Sequence, residues 1–379
     1  MLTRNVLILG LASLFNDAAS ELVVPLLPVF LHQLGGGAVA VGAMEGLAEL
    51  VASLLKLWSG RASDRRGRTV PFVLSGYGLA ALSRPFLALA SSPVHVVLVR
   101  AVDRVGKGLR TAPRDALLAS SVGEEHRGAA FGFHRSMDHA GAMIGPALAL
   151  ALLTMVTTDL RVLFLVASIP GALAALVLFL AREVPKEPKE PPPLAFELGQ
   201  ALLLAPFVLG ALGALADAFL MLAVGVDAHA PLVALPVVWI LLHLIRSALS
   251  TPAGWLADRW PGQRIVALGY AARALTAVLL ALVADPKLAA AVVVFSGVGA
   301  ITEGAEKKLV SARIGASGQG SAFGLYHVLV GLAGMAGALI IGALWDELGS
   351  GFAFAWCASL SAVAAAWVAV AGGAPPKEA

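Results

Sequence analysis

Gly60-Arg-Ala-Ser-Asp64-Arg65-Arg66-Gly67-Arg68 follows the second long apolar run of the chain, and its outline returns as Gly254-Trp-Leu-Ala-Asp258-Arg259-Trp-Pro-Gly262-Gln-Arg264 after the eighth. A second pair stands in nearly the same register: Gly128-Ala-Ala-Phe131-Gly132-Phe-His-Arg135 and Gly320-Ser-Ala-Phe323-Gly324-Leu-Tyr-His327. Either match alone is within reach of chance. Two matches at a shift of about 193 residues argue for an internal duplication into two six-helix halves.

What lies between these turns fits lipid better than water. Of the 379 residues 59% are hydrophobic and 13% charged, against roughly 45–50% and 25% in soluble domains. Twelve spans of about 20 apolar residues need about 240 residues, which the chain can supply. Apolar length and Gly, Pro and charge punctuation predict spans near 5–31, 37–60, 70–91, 94–120, 128–157 and 161–181, then near 198–226, 231–257, 264–284, 287–314, 320–345 and 351–373. The domains expected are therefore 1–181 and 198–379, two pseudo-symmetric bundles of an all-α membrane protein. Between them 182–197, rich in Lys, Glu and Pro, reads as a cytoplasmic linker. The first run carries Asn16, Asp17 and Glu21, which a signal peptide would not, so it reads as a span.

Loop charge sets the orientation. With a cytoplasmic N-terminus, that side receives Arg61, Arg65, Arg66, Arg68, Arg127, Arg182, Arg259, Arg264, Lys307, Lys308 and others, while the opposite side receives little beyond Arg161 and Lys287. Both termini are thus expected in the cytoplasm of a cell-membrane protein. The net charge of +3 comes from these short loops and not from one soluble face, so no nucleic-acid partner is expected. The single Cys357 excludes a disulfide framework or cysteine-based metal cluster.

These motifs resemble those of the major facilitator superfamily along nearly the whole chain. Gly60 to Arg68 is similar to the family's loop motif between helices 2 and 3. Arg100, Gly106, Gly108 and Pro113 resemble its helix 4 motif, with Arg104 where a glycine is usual. Gly141, Gly145 and Pro146 are similar to the helix 5 motif associated with drug–proton antiporters, with Ala149-Leu150 replacing its closing glycine pair. The 100–115 segment is similar to that of a poorly characterised prokaryotic branch. The resemblance implies that helices 1, 4, 7 and 10 line a central pathway, making Asp17, Glu21, Arg100, Arg104, Asp217 and Glu303 its first candidates.

The residues themselves supply the chemistry. An ionisable group at mid-bilayer costs about 2.5–3.5 kcal/mol on insertion scales, so each must be paired, hydrated or protonated. Asp17 and Glu21 share one helix face, as do Glu45 and Glu49. Arg100, Arg104, Lys107, Arg110 and Arg114 form a stripe on span 4 with Asp103 alongside, and Arg84, Asp138, Arg246 and Arg273 are further charges inside spans 3, 5, 8 and 9. Asp17, Glu21 and Glu49 are the candidate proton carriers; Arg100, Arg104, Asp138, Asp217, Arg246 and Glu303 are the candidates for substrate binding. Static salt bridges to the span 4 arginines are the competing reading for the acids. Gly60, Asp64, Arg65 and Arg68, with Asp258 and Arg259 in the repeat, read as a gating latch, since topology alone needs basic residues but no Asp or Gly.

His134, Met137, Asp138, His139 and Met143 invite a metal reading, but only His134 and Asp138 share a face well, so no metal site and no cofactor is expected. No phosphate loop, zinc-protease motif or nucleophile elbow occurs, which disfavours an enzyme. The reading that results is a monomeric, proton-coupled secondary transporter working by alternating access in the lipid bilayer and exporting a small organic molecule. An anion or metal-ion carrier and a non-transporting sensor of the same fold are the alternatives.

Overall fold

The computed structural model describes residues 3–123, 126–184, 187–188, 190, 198–302, 305–306, 309 and 319–371, with backbone alone at 127–129, 198–203, 250–259, 300, 319–325 and 371. Among them every regular element is a helix. Eight helices are long and apolar enough to cross a membrane: Arg4–Gln33, Ala38–Arg66, Ala130–Met155, Leu160–Leu178, Leu204–Asp227, Gly262–Leu282, Tyr326–Leu348 and Ser350–Val370. Ala234–Leu249 and Pro286–Gly299 are shorter apolar helices. Leu89, Met155, Leu282 and Val370 stand 72–85% exposed, which suits a lipid solvent and not water.

The helices are interrupted where chemistry demands it. Proline has no N–H to donate and its ring crowds the preceding turn. Pro25 and Pro28 accordingly introduce a 3₁₀ turn, Val24–Leu26, between α1 (Arg4–Val23) and α2 (Leu27–Gln33). The next helix, α3, spans Ala38–Arg66. Pro85 separates α4 (Val70–Ser83) from the single turn α5 (Pro85–Ala88), leaving Arg84 at the joint. Then follow α6 (Pro93–Ser120), α7 (Arg127–Met155) and α8 (Leu160–Leu178). Downstream lie α9 (Leu198–Leu212), α10 (Asp217–Leu222), α11 (Ala234–Arg259), α12 (Gly262–Leu282), α13 (Pro286–Ser296), α14 (Gln319–Leu348) and α15 (Ser350–Ala371).

Two compact units emerge. Unit 1 comprises 1–36, 47–191 and 231–240. In it α1 packs on α7 and α8, and α4 on α6, over a core of Val6, Leu9, Val73, Tyr77, Leu117 and Leu178. The glycines Gly141 and Gly145 let α7 lie directly on α1: a Cβ at Gly145 would sit 2.5 Å from the Ala18 carbonyl and 2.7 Å from the Leu22 nitrogen. The residues after α8 are stitched back onto this unit. The Asn5 side chain donates to the Arg182 carbonyl (2.9 Å) and accepts from its N–H (3.0 Å), while Glu183 accepts from the Thr69 N–H, the Thr69 hydroxyl and the Val70 N–H at 2.7–3.0 Å. Glu183 thereby satisfies two of the orphan donors that open α4.

Unit 2 comprises 37–46, 192–230 and 241–379. Here α12 packs on α15 and α14 on α9, over Leu204, Phe207, Ile265, Tyr270, Tyr326 and Val368. Asp346 of α14 accepts from the N–H groups of Ala38 (2.7 Å) and Val39 (2.9 Å). Between α9 and α10 the helix is broken over Gly213–Ala216, and a Cβ at Gly213 would press on that of Leu360 at 2.6 Å.

Candidate functional site

Each unit holds a polar interior, and the two are built differently. In unit 1, α1, the α4–α5 joint and α6 contribute charges that satisfy one another. The Arg84 guanidinium donates to the Asn16 carbonyl oxygen (2.8 Å) and to Asp103 (3.2 Å), and Arg100 lies 3.6 Å from the second Asp103 oxygen. All four side chains are buried. Arg110, also buried, places its guanidinium 4.5 Å from the centre of the Tyr77 ring, a cation–π contact. On α7, Asp138 accepts from the Ser13 hydroxyl and lies 3.4 Å from His134, with the exposed Arg135 at 3.9 Å. Asp17 accepts from the Asn16 amide at 3.0 Å and has no cation within 4 Å among the described residues.

The predicted site residues are thus sorted. Asp17, Arg100 and Asp138 belong to this interior. Glu21, four residues from Asp17, accepts from the indole of Trp239 at 2.8 Å. Neither acid of α1 forms a salt bridge to a described span 4 arginine. Arg104 is half-buried, while Lys107 and Glu49 are exposed, Glu49 accepting from Ser53 at 3.4 Å. Arg84, Asn16 and Asp103 carry more of the network than the residues ranked first. The signal for Arg84 was present as a lone cation in an apolar run, but Asn16 gave no charge to notice.

The latch residues lie at the end of α3. Gly60 faces Ala112 of α6, where an added Cβ would stand 3.2 Å away, and Ser59 donates to the Gly108 carbonyl at 2.9 Å. Gly67 turns the chain with φ +61°, a conformation glycine adopts freely. Asp64, Arg65 and Arg68 are exposed, and Asp64 has no ion pair among the described residues. Asp258 and Arg259 lie outside the residues whose side chains are described, and Glu303 lies outside the described residues.

In unit 2 the break at Gly213–Ala216 exposes backbone at mid-span, the arrangement transporters use to build polar sites from discontinuous helices. Asp217, the first residue of α10, receives two hydrogen bonds from Arg246 of α11, at 2.6 and 2.7 Å. This bidentate pair borders a cavity of about 320 Å³ that Arg273 of α12 also lines. Arg273 donates to the Thr302 hydroxyl at 3.3 Å and lies over Tyr270 at 5.2 Å. Among the described residues, no group of three or more His, Cys, Asp or Glu converges as a metal site.

Comparison with known proteins accords with this construction. An uncharacterised MFS-type transporter of Methanocaldococcus jannaschii is 28% identical over 360 residues, covering 91% of this chain and 89% of that one. The multidrug resistance protein MdtH of Photorhabdus laumondii is 36% identical over 124 residues, 32% of this chain and 31% of that one. Among solved structures, the nucleoside transporter NupG superposes with a TM-score of 0.81 at 14% identity, covering 98% of this chain and 100% of that one. A POT family transporter crystallised with 5-aminolevulinic acid superposes with a TM-score of 0.78 at 14% identity, over 97% and 96% of the two chains. The sequence pattern of the Major Facilitator Superfamily matches residues 9–326. With repeated turns, apolar helices and charged interiors in place, the chain belongs to that superfamily and is a multi-pass membrane transporter.

Proposed function

We propose that the protein is a proton-coupled secondary transporter of twelve spans, arranged as six-helix bundles 1–181 and 198–379 joined by 182–197. It exports a small organic compound from the cell by alternating access, in exchange for protons, with both termini in the cytoplasm. The single observation that carries this reading is Asp17. It is an acid at mid-span with an amide neighbour and no described cation within reach, and in such a place charge is neutralised by a proton or by a passing cation.

In this mechanism Asp17 and Glu21 carry the proton, with Glu49 at an exposed position of α3. The Arg84–Asp103 pair and Asn16 hold the rest of the polar interior in fixed geometry. Arg100, Arg104, Asp138, Asp217, Arg246 and Glu303 make up the substrate-binding set. Gly60, Asp64, Arg65 and Arg68, with Asp258 and Arg259, form the cytoplasmic latch. The free carboxylate of Asp64 supports this role, because a latch must release and re-engage. Export is supported by the MdtH likeness across a third of the chain.

The test is gradient-driven transport in proteoliposomes. Asp17→Asn should abolish accumulation against a gradient while leaving downhill exchange, because a neutral amide can bind but cannot cycle a proton. Full gradient-driven activity in Asp17→Asn would remove proton carriage from this residue. Asp64→Asn should slow turnover without lowering expression. A small-anion cargo is the second reading, favoured by the arginine-lined cavity of unit 2.

A further inference from the structure

At a shift of 193 residues some positions of the two units match. Gly76-Tyr77 corresponds to Gly269-Tyr270, and Gly106 to Gly299. Tyr77 and Tyr270 are both buried at 1% exposure, and each lies under a guanidinium. In unit 1, Ser20, Val23, Leu27 and Asp103 border a gap of about 10 Å³, room for about one water. Their counterparts Gly213, Ala216, Leu220 and Ser296 border the 320 Å³ cavity of unit 2. Serine has become glycine, valine alanine and aspartate serine, and Val293 stands where unit 1 has Arg100. The second half lacks the carboxylate that closes the first and both of its arginine partners, which become Ala277 and Val293, and carries Arg273 where unit 1 has Ala80.

We propose that this cavity binds a small organic monocarboxylate, whose carboxyl group pairs with Arg273. Arg246 is already engaged by Asp217 through two hydrogen bonds. Arg273 has no carboxylate within 4 Å among the described residues, and of its five N–H donors one reaches Thr302. The described charges on the wall are two arginines against one aspartate, an excess of one positive charge that a monoanion balances. Thr276 and Ser361, both buried, add hydroxyls. Leu215 and Leu220 supply apolar wall, and the volume exceeds what a bare inorganic anion fills. A planar carboxylate on a compact apolar body satisfies all of these, since the arginine fork pairs with carboxylate in two parallel hydrogen bonds. That the bound acid is also the cargo rests on the transporter reading above, whereas binding itself does not.

The experiment measures equilibrium binding of radiolabelled benzoate to the purified full chain in detergent, with neutral benzamide as the isostere. Wild-type protein should bind benzoate saturably and at least about tenfold more tightly than benzamide. Arg273→Gln should weaken benzoate about tenfold or more and leave benzamide unchanged, and Arg273→Lys should recover part of the loss. Ser296→Asp restores the pattern of unit 1; the variant should stay folded and lose benzoate binding. Cys357, the chain's single cysteine, lines the cavity, so benzoate should slow its alkylation by a small maleimide. Absence of binding to wild type, or benzoate affinity unchanged in both Arg273→Gln and Ser296→Asp, would overturn the site. Gradient-driven benzoate flux in proteoliposomes is scored separately: binding without flux retires benzoate as cargo and leaves the site standing.

Discussion

The interiors of the two units share a plan and differ in what fills it. In unit 1 three elements bring Asn16, Arg84, Arg100 and Asp103 together until about 10 Å³ is left. In unit 2 the matching positions carry smaller and less charged residues, and about 320 Å³ stays open. Both units carry a Gly-Tyr pair, and Gly106 and Gly299 stand at matching positions, while the residues around them differ between ion pair and cavity. One half has been spent on rigidity and the other on space.

The contrast predicts unequal responses to equal substitutions. The largest effect falls on Asp103→Asn. Removing the Asp103 charge leaves the buried Arg84 cation with the Asn16 amide and no described carboxylate, at a cost of ~3–5 kcal/mol, whereas Asp217→Asn, in a pair whose side chains are about a third exposed, should cost roughly 1 kcal/mol. Thermal unfolding in detergent compares them; equal losses would mean that the unit 2 pair is as structural as that of unit 1. Next comes Gly76→Ala against Gly269→Ala. At Gly76 the new Cβ meets the Gly106 carbonyl at 2.5 Å, and backbone cannot step aside. At Gly269 it meets the Thr302 methyl, which can move. Overpacking of ~1–3 kcal/mol is expected at Gly76 and less at Gly269. The smallest change is Tyr77→Phe. Among the described residues the buried Tyr77 hydroxyl has no hydrogen-bond partner, so its removal should shift stability by no more than about 0.5 kcal/mol. A larger loss would point to a polar group or water at that hydroxyl.

Much of this was legible in the sequence, and the remainder was hidden for physical reasons. The repeated turn and the apolar runs carried the family and the helical class. The spans expected over 5–31 and 70–91 run straight through Pro25 and Pro85, where the structure interrupts the helix, because apolar length does not register a missing N–H. Helical spacing correctly placed His134 and Asp138 on one face, where they stand 3.4 Å apart. Spacing along one helix says nothing about which neighbouring helix a side chain meets, so the joining of Arg84 to Asn16 was not visible. The expected stripe on span 4 is divided in the structure: Arg100 and Arg110 are buried, Arg104 half-buried and Lys107 exposed, because a full-length helix turns different residues toward different neighbours. Ser296 could have been found by carrying the 193-residue shift from the loops into the spans, where it stands opposite Asp103. Glu183 could not, since its partners lie 114 residues away in sequence and are held through backbone N–H groups.

The stitching of Arg182 and Glu183 to Asn5 and Thr69 has a consequence for how the chain can be divided. Fragment complementation depends on each piece retaining its own anchors, because two separate chains must find one another at cellular concentration instead of the higher effective concentration that a tether provides. A break between Pro188 and Glu190 leaves the anchoring residues on the first fragment, and coexpressed halves cut there should reassemble. A break before Arg182 would hand those residues to the wrong piece and leave the opening turn of α4 uncapped, so that pair should be degraded.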